Sequence, residues 1–166
     1  MHNELLDVVD ADDAIIAQRP RREIHANGLR HRAVHILVFN DLGELFLQKR
    51  SMKKDLNKGL WDSSAAGHVD AGESYDSCAP RELQEELNIS AALEPLFKLE
   101  ASAELGMEFI QVYRCRHNGP LNLAAEEIDE GHWLNPAIVD ERVNTNDPTL
   151  TVTFKMIWQQ FRQTAN

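Results

Sequence analysis

Between Gly67 and Ile89 the chain reads GHVDAGESYDSCAPRELQEELNI, and within it Glu82, Glu85 and Glu86 fall at i, i+3 and i+4. On a helix that spacing projects three carboxylates from one face. Like charges so placed repel by roughly a few tenths of a kcal/mol per pair, and a bound divalent cation removes the repulsion. An all-oxygen donor set selects a hard ion, Mg²⁺ or Mn²⁺. Such an ion neutralises charge on phosphoryl oxygens and lowers the pKa of a bound water, from 15.7 toward about 7 in the best cases. The segment before the helix is turn-rich, with Gly67 and Gly72, and Glu73 can pair with Arg81 if that loop folds back.

The segment resembles the box of the Nudix hydrolase superfamily, G-x5-E-x7-R-E-U-x-E-E-x-G-U with U aliphatic. Gly67, Glu73, Arg81, Glu82, Leu83, Glu85, Glu86 and Ile89 all sit on its pattern positions. Asn88 stands where the family usually has its second glycine, and Asn tolerates the left-handed backbone of a helix C-cap better than other side chains. The resemblance covers residues 30 to 163 and implies an α/β fold, a mixed β-sheet sandwiched between α-helices. It also implies hydrolysis of a diphosphate linkage by water attack on phosphorus, with Mg²⁺ or Mn²⁺ as cofactor. Under it Glu85 and Glu86 are the principal metal ligands, Glu82 a further ligand or base, Gly67 a carbonyl donor, and Glu73 with Arg81 a structural ion pair. Family members often carry another metal-binding or base-acting Glu near AAEEIDEGHW; Glu127 is the first candidate, ahead of Glu126 and Glu130.

A narrower similarity lies upstream. The run from Trp61 to His68 is similar to the segment by which isopentenyl-diphosphate isomerases, also of Nudix fold, enter their site. Those enzymes hold a metal through histidines, and His31 and His68 lie in approximately matching places. Their reaction needs a Cys acid-base group just before the Gly-His pair, where this chain has Ala66, and a methyl group transfers no proton. His31, His35 and His68 could in principle join a metal site; His68 is read as facing the substrate or supporting the site, and otherwise as structural. A catalytically silent binding module is the other alternative, which a lost box carboxylate would have favoured; none is lost.

The elements that must position these residues fit one domain of 166 residues, with 1 to 29 an N-terminal hairpin and basic arm and 30 to 163 the core. The net charge of −10 argues against a nucleic-acid polymer as partner. No apolar run reaches transmembrane length and the N-terminus is acidic where a secretory signal is basic, so a cytoplasmic protein is expected. Cys78 and Cys115 are expected as buried reduced thiols. Ten of the 17 Lys and Arg fall within residues 19 to 58. Of these, Lys49 and Arg50 end a strand leading toward the site and are the candidates for binding substrate phosphates. The expected partner is a small phosphorylated molecule, with a homodimer left open.

Hydrophobic alternation predicts a hairpin over 4–9 and 13–17, strands over 33–39 and 44–49, and a single strand over 61–66. A polar loop fills 51–59. Pro80 predicts an irregular or late-starting first turn in the box helix, regular from Arg81 onward. Further strands are expected over 97–103, 109–115 and 130–134. Asn135-Pro136 and Asp147-Pro148 each read as a helix start, and Leu150, Phe154, Ile157, Trp158 and Phe161 form an apolar stripe expected in the core.

Overall fold

The computed structural model describes residues 4–164. Strands β1 (Leu5–Val9) and β2 (Ile15–Pro20) form an antiparallel hairpin, followed by the short helix α1 (Arg21–Asn27). The main sheet is built on β3 (His31–Phe39), whose HRAVHILVF run is buried on both faces. Parallel to β3 lies β8 (Glu108–Arg116), which pairs antiparallel with β7 (Glu94–Leu99) on its far side. On the other side β3 pairs with β6 (Ala65–His68) and, at Phe39 alone, with β4 (Leu45–Arg50). Strands β5 (Trp61–Asp62) and β9 (Ile128–Leu134) flank β4 and complete seven strands.

Two cores follow from the period of two along β3. Ala33 and Leu37 point to one face, where they meet Ile110, Val112 and the helices α3 (Pro136–Asn144) and α4 (Val152–Thr164). Val34, Ile36 and Val38 point to the other, where they meet Cys78, Ala79, Leu83 and Leu87 of helix α2 (Tyr75–Leu87). The result is the expected α/β layered fold, a mixed sheet between helices. Phe154, Ile157, Trp158 and Phe161 are all buried, as their spacing required.

Three local expectations are corrected. Residues 61–66 are not one strand: β5 pairs with β4, β6 pairs with β3, and the chain changes partner at Ser63 and Ser64. The Ser64 hydroxyl makes this switch, donating to Phe46 O and accepting from Val38 N. Helix α2 runs unbroken through Pro80 from a capped start, Ser74 Oγ accepting from Ser77 N. Pro80 forfeits a single backbone bond there, and the buried face of α2 outweighs that loss. Helix α4 starts at Val152 with Thr151 Oγ1 accepting from Phe154 N, and not at Pro148. Asp147 instead closes a turn on the backbone N and hydroxyl of Thr149. Cys78 and Cys115 are both buried and free. Among the described residues no helix is long and apolar enough to cross a membrane.

Candidate active site

Helix α2 lies against β6, and contact this close is possible because position 67 has no side chain. A Cβ on Gly67 would stand 2.1 Å from Glu82 Cδ, so the Glu82 carboxyl occupies the space any other residue would fill. Glu86 is one helical turn on and equally enclosed, with exposures of 8% for Glu82 and 4% for Glu86. Glu86 Oε1 accepts from Gln48 Nε2 at 2.9 Å and from the Ala66 backbone N at 3.2 Å. Burial, and then each other's charge in the case of Glu82, raises both carboxyls above the usual carboxylate range. Two buried carboxyls in one pocket cannot both ionise without a cation.

The neighbouring cation, Arg81, is already committed. Its Nε and Nη2 donate to the two oxygens of Glu73 at 2.8 Å each, and Nη1 reaches Glu82 at 2.9 Å and Glu85 at 3.1 Å. The Arg81 hydrogen bonds hold Glu73 below its ordinary pKa. This fork fastens the loop before α2 to the helix, and Nη2 also donates to His68 O. One guanidinium thus serves Glu73, Glu82 and Glu85, and Glu86 takes no bond from it. The remaining oxygen donors suit a hard divalent ion. Glu85 differs from its neighbours in being outward, with 56% of its side chain exposed.

Glu127 approaches from the segment before β9, and its carboxylate is paired with Lys54 of the 51–59 loop. The same segment meets the end of α2 through its backbone, Ala124 N donating to Glu86 O at 2.9 Å. Lys49 lies at the end of β4, opposite Trp61 and Glu130. Arg50 directs Nε and Nη2 to Leu56 O, at 3.1 and 2.9 Å, and Nη1 to within 3.8 Å of Asp62. In this fold it shapes the 51–59 loop. Other basic residues between 19 and 58 are likewise paired: Arg21 with Asp55, Arg32 with Asp13 and Lys53 with Glu126.

His68 follows Gly67 directly, yet strand alternation turns it to the opposite face of the sheet. There its Nε2 lies 2.9 Å from Glu108 Oε2 and its Nδ1 3.8 Å from Glu4. Burial opposes protonation of His68, but Glu108 and Glu4 outweigh it and push the imidazole up to about 9. His31 stands beside them, its Nε2 3.3 Å from the same Glu108 oxygen. The adjoining His31 and His68 overcome burial and hold the Glu108 carboxyl well below the usual range. His35 is separate, bonded to Ser63 Oγ at 2.9 Å, and is structural. Gln48, His25 and Glu108 were missed by sequence reasoning. They lie outside the box, and no spacing rule links them to it.

Residues 29–153 match the NUDIX domain family, and the chain belongs to the Nudix hydrolase family. A Yersinia pestis protein named an uncharacterized Nudix hydrolase is 34% identical over 87% of this chain and 80% of its own length. An isopentenyl-diphosphate Delta-isomerase of Serratia proteamaculans is also 34% identical, over 93% of this chain and 89% of its own. The crystal structure of DR0079 from Deinococcus radiodurans superposes with a TM-score of 0.84 at 26% identity, covering 95% of this chain and 98% of that one. The chain is therefore a hydrolase of a family that cleaves pyrophosphate bonds in small phosphorylated molecules and generally uses divalent metals.

Proposed function

We propose that this chain hydrolyses the diphosphate linkage of a nucleoside diphosphate joined to another group, or of a related small molecule, by attack of water on phosphorus. The observation that carries this is the buried Glu82–Glu86 pair packed against Gly67, an arrangement that burial penalises in the absence of a cation. A bound Mg²⁺ or Mn²⁺ would supply charge neutralisation at the phosphoryl oxygens and an acidified water. Glu85 and Glu86 are proposed as its principal ligands, with Glu82 and the Gly67 carbonyl completing the set and Glu82 or Glu127 accepting the proton of the attacking water. Arg81 and Glu73 hold the loop and helix in register. Gln48 orients Glu86 by donating to Oε1, leaving Oε2 for the ion. Lys49 and Arg50 are proposed to receive substrate phosphates, Arg50 also by keeping the 51–59 loop in place, and His68 to support the substrate side from the other face of β6.

The test is a phosphate-release screen of nucleoside triphosphates, dinucleoside polyphosphates, nucleotide sugars, coenzymes and prenyl diphosphates with Mg²⁺ and Mn²⁺. Turnover of at least one class, abolished by chelator, is the expected result; none in any class would favour a silent binding module. The isomerase alternative has the named Serratia relative in its favour and Ala66 against it. Isopentenyl diphosphate incubated in deuterated water should gain no deuterium in its carbon skeleton, because hydrolysis leaves those hydrogens untouched. Catalytic incorporation would overturn the hydrolase assignment.

A further inference from the structure

The β1–β2 hairpin packs by itself and is joined to the rest of the chain at the loop that opens the Gly67–Ile89 segment. Leu6 and Val8 are buried with Ile24 of α1 in a cluster of their own, separate from the two cores on either side of β3. What the hairpin offers the loop is hydrogen bonds. Five consecutive backbone N–H groups run from Val69 to Glu73, and each has an acceptor. Asp70 N donates to Glu73 Oε1 at 3.0 Å and Glu73 N to Asp70 O at 2.9 Å, while Val69 N donates to Arg32 O on β3. The other two go to β1: Ala71 N donates to Leu5 O at 2.9 Å, and Gly72 N to Asp7 Oδ2 at 3.0 Å.

Asp7 is the unusual partner, because it is 1% exposed and a buried carboxylate is costly unless its oxygens are bonded. The two oxygens serve different elements. Oδ1 accepts from Gln18 Nε2 across the hairpin at 3.1 Å, and Oδ2 takes the N–H of Gly72, which turns left-handed at φ 81° just before Glu73. A second grip lies at the hairpin tip. Asp13, itself left-handed at φ 64°, accepts from Arg32 Nε at 2.7 Å through Oδ1, and from Tyr75 OH at 2.8 Å and Lys98 Nζ at 2.7 Å through Oδ2. Tyr75 is the first residue of α2. The hairpin therefore holds the chain on both sides of Glu73.

We propose that the N-terminal hairpin is a clamp on this loop, with Asp7 and Asp13 as positioning residues for the glutamates of α2. Asp7 fixes Gly72, Gly72 delivers Glu73, and Glu73 takes Nε and Nη2 of Arg81, which leaves Nη1 alone to span Glu82 and Glu85. Glu73 thus keeps most of the guanidinium away from the other carboxylates. A slack loop withdraws Glu73, and a guanidinium fork released from one carboxylate pairs with the next within reach. Arg81 then competes with a cation for the oxygens of Glu82 and Glu85. Asp13 acts at the other end, by fixing the first turn of the helix that carries them. The role rests on the hydrolase reading, since the clamp prepares the oxygens assigned there to the hard ion.

The test titrates the full chain with Mn²⁺, followed by electron paramagnetic resonance, with amide hydrogen exchange read over residues 70–73. Asp7→Ala should weaken Mn²⁺ binding on the order of 10-fold, as loss of an outer supporting group does, and speed exchange at Ala71 and Gly72. Asp7→Asn keeps an acceptor for Gly72 N and should restore Mn²⁺ affinity. Ile157→Val, a loss of volume in the core against α4, lowers the melting temperature without touching the loop and should leave Mn²⁺ affinity unchanged. If Asp7→Ala does not fold, Asp13→Asn decides in its place: Asn tolerates the left-handed backbone, and losing the charge that holds Arg32 and Lys98 should weaken Mn²⁺ binding in the same direction. Mn²⁺ affinity unchanged in the deciding variant, not restored by Asp7→Asn, or lost equally in Ile157→Val would overturn the clamp and leave the hydrolase reading standing. A wild-type chain that takes up no Mn²⁺ would overturn the hydrolase reading, and the clamp with it.

Discussion

The two faces of strand β6 each carry a concentration of ionisable groups, and they are assembled in opposite ways. On the α2 side, Gly67 admits Glu82 and Glu86, all drawn from one stretch of twenty residues. On the other side, His68 joins His25, His31 and Glu108, which are scattered across the chain and meet only through sheet register and the docking of α1. The first cluster offers oxygen alone and the second mostly nitrogen. A helix and a strand running side by side thus present a hard and a borderline donor set within two consecutive residues. The difference teaches that helical spacing gathers one cluster and sheet register the other.

The comparison breaks most visibly at Glu86. Glu86→Gln should lower turnover on the order of 100-fold to 1,000-fold, while leaving the melting temperature of metal-free protein unchanged or higher, because it removes a buried charge. Steady-state kinetics and thermal melting on the same samples check both halves. Wild-type turnover in this variant would sink the assignment of the α2 face.

Gly67→Ala comes next. Its Cβ cannot coexist with the Glu82 carboxyl at 2.1 Å, so α2 must shift at a cost of about 1–3 kcal/mol. Hard-ion affinity should fall with stability, as denaturant melts in the presence and absence of Mn²⁺ would show. His68, turned the other way, should keep its environment, and unchanged histidine NMR shifts would sharpen the contrast between faces.

A third test uses pH. Burial raises the Glu82 and Glu86 carboxyls above their ordinary 4.5, so the folded chain binds their protons more tightly than the unfolded chain. Their contribution is therefore most favourable at low pH. It declines as pH rises from about 4.5 through the raised folded values. The His68 imidazole, raised to about 9, acts in the same sense over a higher window: its contribution is present below about 6.5 and is lost as pH rises through 9. In metal-free protein, Glu82→Gln should make the decline shallower from about 4.5 to about 9 and leave the His68 share, which sets in only above about 6.5. A decline unaltered by Glu82→Gln would show that the α2 face does not carry it.

Smaller effects are expected at the periphery. Lys49→Met should raise KM several-fold for an anionic substrate and weaken its dependence on salt, with kcat little changed. Arg50→Met should do this and also loosen the 51–59 loop, measurable as faster proteolysis there, since its guanidinium holds Leu56 O. Ser74→Ala removes the cap of α2 and should cost about 1 kcal/mol in a denaturant melt.

The oxygen face was legible in the sequence because helical periodicity is local: knowing that 75–87 is a helix already places Glu82 and Glu86 one turn apart. Asn88 as the stop was legible for the same reason, and it adopts φ 57° as the cap requires. The apolar stripe of α4 was legible too. Which glutamates turn inward was not. Glu82 and Glu86 are buried and Glu85 is outward because β6 passes on one side of α2, a fact of docking and not of spacing. Gln48 reaches Glu86 only through β4, and the segment that carries Glu127 meets α2 only through the loop before β9. The strand break at Ser63 and Ser64 likewise arises because two different strands compete for the same segment. The histidine face was legible only in part, since the upstream similarity marked His31 and His68 and nothing marked His25 or Glu108. Side chains at positions 25, 31, 68 and 108 share no period, and they become neighbours because hydrogen-bond register aligns three strands and a left-handed turn at Gly28 swings α1 over their ends.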